Sequence, residues 1–285
     1  MPSVSKQRAT KKKKSTVKKR GGILDKIQPI GFDDDEGIKI NLYGKSGSGK
    51  TTLWATFPEP ILALICSGSN KPGELRSVDT PENKDRIQTL HIESSDDLSA
   101  IIKHQEETND FATIVLDHAS GLQDLKLKEI LGIDELPAQL EWGTASQQDW
   151  GQCALQMKET LRALLGLSCN TVIVAQEREF NNGGDSDSII APYVGSALTP
   201  SVAAWLEPAC DYVVQTFIRN KMVTTTQKVG GKTIKTTTPG KGVEYCLRVG
   251  PNEVYNTKFR VPGGVREDVM VNPTYDKIMK LIQGT

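Results

Sequence analysis

No apolar run in the 285 residues approaches the roughly 18 to 20 that a membrane-spanning helix needs, and the basic start of the chain has no apolar segment behind it. A helical anchor and a secretory leader are therefore not expected, and a cytoplasmic protein is. Cysteine is sparse. Cys66, Cys153, Cys169, Cys210 and Cys246 are odd in number, far apart and without a C-x-x-C pair, which argues against a disulfide framework or a zinc site and for reduced, mostly buried thiols. His91, His104 and His118 stand apart from one another and from the cysteines, so each reads as an ordinary surface or core residue rather than a ligand. Acid is missing from residues 1–22, which carry nine Lys and Arg, so the remainder holds 26 basic against 35 acidic residues, a net charge of −9. A tail of that kind repels itself and is expected to be disordered. It could hold a polyanion by counterion release, serve as a nuclear address, or only keep the chain soluble. No internal repeat is visible.

Against these absences stands one specific motif. Gly44-Lys45-Ser46-Gly47-Ser48-Gly49-Lys50-Thr51-Thr52 fits G-x-x-x-x-G-K-[ST], behind the β-prone run Ile38–Tyr43 and ahead of Thr52–Ala55, which can open a helix. Glycines let the backbone curl so that successive N–H groups point inward, and a following helix adds the positive end of its dipole, so such a loop suits a polyphosphate. Lys50 is placed to reach the β- and γ-phosphates of ATP, and the Thr51 hydroxyl to ligate Mg2+.

The folded domain is expected to run from about residue 23 to 285. Ile61–Cys66 reads as a buried parallel strand, and Ile87–Ile92 as another. Ser94–Asp97 caps a helix bearing Leu98, Ile101 and Ile102 on one face. Ala112–Asp117 is an apolar strand ending in an aspartate, 67 residues beyond Lys50; in phosphate-loop proteins a carboxylate there stands beside Mg2+, usually through a water. A helical stretch at Leu122–Leu131 follows, then a connection from Gly132 to Ser146 and a helix carrying Trp150, Ala154, Met157, Leu161 and Leu164. Thr171–Gln176 reads as a further buried strand with a polar tip. Strands alternating with helices imply right-handed crossovers and a parallel sheet with ligand at the strands' carboxyl ends.

Arg178–Ser196, rich in Asn, Gly and Asp, reads as a mobile loop over that site. From Asp211 the pattern turns to shorter β segments, Tyr212–Ile218, Met222–Val229, Lys232–Thr238 and Val243–Val249, with Gly230-Gly231 as a hairpin turn. Asn272-Pro273 is expected to cap a last helix with Tyr275, Ile278, Met279 and Ile282 on one face and Gly284 as stop.

Phosphate loop, aspartate-tipped strand, polar-tipped following strand and closing β section together resemble a RecA-type ATPase core. The closer likeness is to phage-type, single-core RecA/RadA-like ATPases, often described as AAA-family ATP-binding proteins of phage recombination, over about residues 36–262. That resemblance implies an α/β fold with a mostly parallel sheet, a closing antiparallel section and a C-terminal helix. It also implies ATP hydrolysis with Mg2+, action on single-stranded DNA, homo-oligomers, and a single-strand-binding or annealing partner protein. Gln176 would sense the γ-phosphate and pass its state to the following loop. Lys258 and Arg260, in the element Asn256–Arg260, would reach a neighbouring subunit's nucleotide; alternatively they are an ordinary surface-strand pair.

Two features depart from the RecA-type pattern. The strand after the phosphate loop ends in Cys66-Ser67-Gly68 rather than in a glutamate, which leaves Glu74, Glu93 or Glu177 to polarise the attacking water or makes hydrolysis slow. The loop after Gln176 is acidic, so DNA needs another surface. Arg219, Lys221, Lys228, Lys232, Lys235 and Lys241 spread over a Thr-rich hairpin without acid between residues 219 and 242. Such a ribbon suits phosphate contacts, or is an edge that its lysines protect from aggregation. Two rival functions stand beside this reading: a phosphate-loop kinase, which would need an Arg-rich lid, and a nucleotide-gated assembly protein with little turnover.

Overall fold

The computed structural model describes residues 37–66, 75–134, 145–180, 192–229, 232–265 and 267–284. The basic tail, the expected domain start near residue 23 and Glu74 lie outside these residues. Short runs of Ile, Leu and Val with no polar alternation can be satisfied only in a sheet covered on both faces, and that is where they lie. Strand β1 (Lys39–Gly44) runs between β5 (Asn170–Ala175) and β8 (Tyr212–Val229), parallel to both. Beyond β5 come β4 (Thr113–Asp117), β2 (Ile61–Ile65) and β3 (Ile87–His91), all parallel. Beyond β8 the sheet closes with antiparallel strands: β9 (Lys232–Arg248), β11 (Val269–Val271) against β9, and the short β10 (Lys258–Phe259) against the start of β8.

Successive residues of each strand feed opposite cores. Leu62, Leu64, Ile114, Leu116 and Ile173 pack against α2 (Ser95–Thr108), α3 (Ala119–Leu131), α4 (Gln147–Leu165) and α5 (Pro200–Ala209). Ile61, Ala63, Ile65, Val115, Val172 and Val174 pack against α1 (Lys50–Trp54) and α6 (Tyr275–Gln283). The expected architecture is therefore present: an α/β core with a mostly parallel sheet, antiparallel closing strands and a C-terminal helix. The helix caps follow side-chain chemistry. Ser94 with Asp97, and Ser146 with Asp149, form capping boxes at α2 and α4. All five cysteines are buried free thiols, as expected. Among the described residues no helix is long and apolar enough to cross a membrane.

Several elements differ from the sequence expectation. The four short β segments after Asp211 are two long strands, because the interruption near Asn220–Met222 is taken up as a register shift within the ladder rather than ending it. The segment 178–196, expected to be a loop throughout, begins and ends as an antiparallel pair, β6 (Glu177–Phe180) with β7 (Tyr193–Ser196); residues 181–191 between them lie outside the described residues. Two ties hold β7 to the sheet: Asn41 Nδ2 donates to Ser196 Oγ at 2.9 Å, and the Tyr43 hydroxyl donates to the Val194 carbonyl at 3.3 Å. The α5 helix had no expectation, since Pro200 and Pro208 interrupt its pattern. At the last helix the cap is Thr274, whose hydroxyl accepts the Lys277 N–H, rather than Asn272-Pro273; of the expected face only Ile278 is fully buried. Gly284 ends that helix in the left-handed conformation, as expected.

Candidate nucleotide site

The phosphate loop leaves the carboxyl end of β1 and turns into α1. Gly49 is the N-cap residue of that helix, at φ 94, and supplies no capping side chain, so the first N–H groups of α1 are left for a ligand or water. The loop is braced from below. The Ser48 hydroxyl lies 2.7 Å from the Lys45 carbonyl and 2.6 Å from the Thr216 hydroxyl on the neighbouring strand.

Lys50 is not extended into solvent. It is 8% exposed, and its ammonium donates to the carbonyls of Gly44 at 2.7 Å and Lys45 at 2.9 Å and to Gln176 Oε1 at 3.3 Å. Burial lowers its pKa from the ordinary lysine value, while the Asp117 and Glu177 carboxylates oppose that shift. The ammonium is thus held at the loop by neutral carbonyl and amide acceptors, and a triphosphate would offer it charged partners.

Asp117, at the tip of β4, accepts a hydrogen bond from the Trp54 indole at 3.3 Å, which ties it to α1. One cleft of about 780 Å3 is lined by Ser46–Leu53, Thr56, Ser77, Asp117, His118, Gln176, Tyr245 and Asn272–Thr274. The tertiary structure therefore gathers Lys50 and Thr51 from the end of the phosphate loop, and Asp117 and Gln176 from two strand tips, around a single space. Strand β5 stands between the loop strand and the Asp117 strand, which is how Gln176 comes to sit between Lys50 and Asp117 in the sheet order.

Mg2+ fits this donor set in a particular way. Thr51 and Asp117 offer one hydroxyl and one carboxylate, and among the described residues no group of three or more His, Cys, Asp or Glu could hold a metal unaided. A hard divalent cation with few protein ligands is one that arrives with phosphate oxygens.

Among the candidate bases, Glu177 lies at the loop: its carboxylate is 3.7 Å from the Lys45 ammonium and accepts from Gln215 Nε2 at 3.0 Å. Glu93 is exposed, and neither it nor Glu177 is among the residues lining the cleft. The β2 tip carries the buried Cys66, whose N–H bonds to the Asp117 carbonyl.

Lys258 and Arg260 are not brought to this chain's phosphate loop. They lie in and beside β10, paired near the start of β8, and bond to the C-terminal end of α5: Lys258 Nζ to the carbonyls of Glu207 at 2.6 Å and Pro208 at 3.1 Å, Arg260 Nη2 to Pro208 at 3.5 Å. Lysine and arginine at a helix C-terminus complement its dipole.

The ribbon is present as expected. Its side chains from 227 to 235, including Lys228, Lys232 and Lys235, lie outside the described residues. Arg219 is partly neutralised, because the antiparallel register sets Glu244 opposite it and its Nε donates to the Glu244 carboxylate at 3.1 Å. Lys221 and Lys241 are exposed.

Sequence reading missed His118 and Tyr245. His118 caps α3 by accepting the Gly121 N–H on Nδ1 at 3.0 Å, which leaves the ring proton on Nε2, and it borders the cleft beside Asp117. Its position directly after the strand-tip aspartate is the signal that could have found it. Tyr245 comes from β9, far along the chain, and only strand pairing brings it to the loop.

This arrangement defines a phosphate-loop domain of α/β fold. The chain belongs to the AAA domain family, whose model matches residues 36–261. Among solved structures it is similar to the flagellar accessory protein FlaH from Methanocaldococcus jannaschii, at 9% identity and TM-score 0.40, covering 84% of this chain and 85% of that one. It is also similar to a KaiC-like protein from Pyrococcus horikoshii, at 12% identity and TM-score 0.40, covering 84% and 90%. Likenesses that distant transfer no activity. No curated protein matches the sequence closely enough to be named as a relative.

Proposed function

We propose that the protein binds and hydrolyses ATP with Mg2+ and couples that cycle to single-stranded DNA, as a RecA-like protein of recombination or repair. The observation that carries the ATP reading is the convergence of Lys50, Thr51, Asp117 and Gln176 on one cleft. In the reaction, water adds to the γ-phosphorus as the bond to the β–γ bridging oxygen breaks, leaving ADP and phosphate. Lys50 neutralises charge that builds on the bridging oxygen, and the N–H groups at the start of α1 hold the phosphates. Mg2+ would supply further charge neutralisation between the β- and γ-phosphates, held by Thr51 and, through water, by Asp117. Glu177 is the described carboxylate suited to orient the water, although its contacts with Lys45 and Gln215 must loosen for it to do so.

Coupling is supported by the position of Gln176. Its side chain contacts Lys50, and its backbone carbonyl accepts the Ala197 N–H at 2.7 Å, just after β7. A change at the γ-phosphate is thereby one residue from the β6–β7 pair.

For DNA, the support is the ribbon. Beyond Thr216, β8 is paired with β9 alone as far as Val229, which at the usual rise of a strand makes an arm on the order of 40 Å long. A second copy of the chain is the proposed partner for Arg260, and a single-strand-binding or annealing protein is a further proposed partner.

Measuring ATP hydrolysis with and without single-stranded DNA tests the reading, with stimulation expected. ADP release that depends on a small-molecule acceptor would replace it with the kinase. Tight nucleotide binding without turnover would replace it with the assembly protein.

A further inference from the structure

We propose that Tyr245 is the platform for the nucleobase, and that the base is held by stacking rather than read at its edge. The inference rests on the nucleotide reading of the cleft and extends it to the part of the ligand that the loop does not touch.

Tyr43 and Tyr212 in the sheet, and Trp54 and Phe57 in and after α1, are each 3% exposed or less, while Phe217 and Phe259 are half-buried. Tyr245 is 44% exposed, and it stands at the wall of the cleft. An aromatic face left open beside a polyphosphate site is apolar surface that folding did not cover and a flat ligand can. Its placement is fixed by the backbone. Strand β9 sets it opposite Ile218, and its carbonyl accepts the Asn272 N–H at 2.7 Å, which fastens the strand to the turn before α6. The ring itself lies against the phosphate loop: a β-carbon at Gly49 would stand 3.0 Å from Tyr245 Cδ1 and 3.7 Å from Cγ. Glycine at position 49 thus serves the left-handed turn and also the close approach of the ring.

Part of the polar lining at this end of the cleft is committed, while the Ser77 hydroxyl and the Asn272 amide also line it. Thr56 Oγ1 donates to the Leu53 carbonyl at 2.7 Å and accepts the Tyr275 N–H at 2.8 Å; Thr274 Oγ1 accepts the Lys277 N–H. Pro273 adds another apolar surface and no donor. Discrimination among bases requires hydrogen-bonding groups aimed at the base edge, whereas stacking tolerates any base. The stack itself favours no base edge, so ATP and GTP are expected to bind within about tenfold of each other.

The test compares Tyr245→Ala and Tyr245→Phe with the unaltered protein, using Mg-ATP, Mg-GTP and Mg-tripolyphosphate as competitors of a fluorescent nucleotide, with circular dichroism as the check on folding. Tyr245→Ala is expected to weaken ATP and GTP about tenfold or more while leaving tripolyphosphate unchanged, and Tyr245→Phe to behave as the unaltered protein. Equal loss for ATP and tripolyphosphate would mean that the ring only supports the loop, and no loss at all would mean that the base lies elsewhere; either overturns the platform. Discrimination of ATP from GTP well beyond tenfold by the unaltered protein overturns the tolerance. Failure of the unaltered protein to bind any of the three is the separate result that removes the nucleotide reading itself.

Discussion

Lys50, Thr51, Asp117 and Gln176 carry the catalytic reading. Lys50 is buried and bonded to two loop carbonyls, so Lys50→Ala is expected to do two things: remove a phosphate ligand, and take the ammonium donor from the Gly44 carbonyl, while the Lys45 carbonyl keeps the Ser48 hydroxyl and N–H. Nucleotide titration should show weakened affinity, and thermal melting a destabilisation of about 1 to 3 kcal/mol for the acceptor left unmet. A folded variant with unchanged affinity would sink the assignment. Asp117→Asn should reduce Mg2+-dependent turnover more than nucleotide binding, because it removes charge from the metal's surroundings while keeping an acceptor for Trp54. At the start of α3, His118→Ala should cost about 1 kcal/mol in denaturant unfolding, the usual worth of a helix cap, and His118→Asn should restore it. Gly121→Ala should be worse than either, since the new β-carbon would meet the Cys66 carbonyl at 1.8 Å and force α3 away from the β2 tip.

At the scale of elements, α5 ties the late segment to the sheet through one buried acid. Glu207 accepts from Asn256 Nδ2, while its Oε1 is buried and has no partner among the described residues. Burial pushes its pKa up to about 7, against the opposing effects of Asn256 and Lys258. The folded protein therefore keeps this proton where the unfolded chain releases it. Its contribution favours folding most below the ordinary glutamate value of about 4.5 and falls as pH rises toward 7, above which it is flat. Melting temperatures measured from pH 4 to 8 should show Glu207→Gln flattening this part of the profile. An unchanged profile would mean that Glu207 is not the titrating group. On the ribbon, the Arg219–Glu244 pair is half exposed and worth little to stability, so charge there matters for ligands rather than for folding. Changing Lys228, Lys232 and Lys235 to Glu should weaken single-stranded DNA binding for every sequence alike and flatten its salt dependence, by about 0.7 in slope for each phosphate no longer engaged, while ATP affinity survives. DNA binding with wild-type affinity and salt slope would leave the ribbon a solvated edge.

For the whole molecule, the decisive question is whether one chain makes a complete site. Arg260 is exposed and lies away from its own phosphate loop, held by a single hydrogen bond at 3.5 Å. If it serves a neighbour, removing such a cation costs on the order of 10³-fold in turnover. Mixing Lys50→Ala chains with Arg260→Ala chains should then recover part of the activity. Strictly monomeric activity without complementation would make Lys258 and Arg260 helix-end braces only, the role their hydrogen bonds to α5 already give them.

The phosphate loop, its flanking strand, the parallel core strands and the capping of α2 were legible in the amino-acid order, because each depends on residues adjacent in sequence: glycines at loop positions, β-branched runs, a serine three residues before an aspartate. Asp117 and Gln176 could be placed at strand ends for the same reason. The sequence could not place α5, whose two prolines hide a helix held by tertiary burial of Val202, Ala203 and Leu206. Nor could it show that Glu244 sits opposite Arg219, or that Tyr245 covers Gly49. Those are decided by strand register and by burial, which pair residues tens to nearly two hundred positions apart, and no local pattern encodes a distance of that kind.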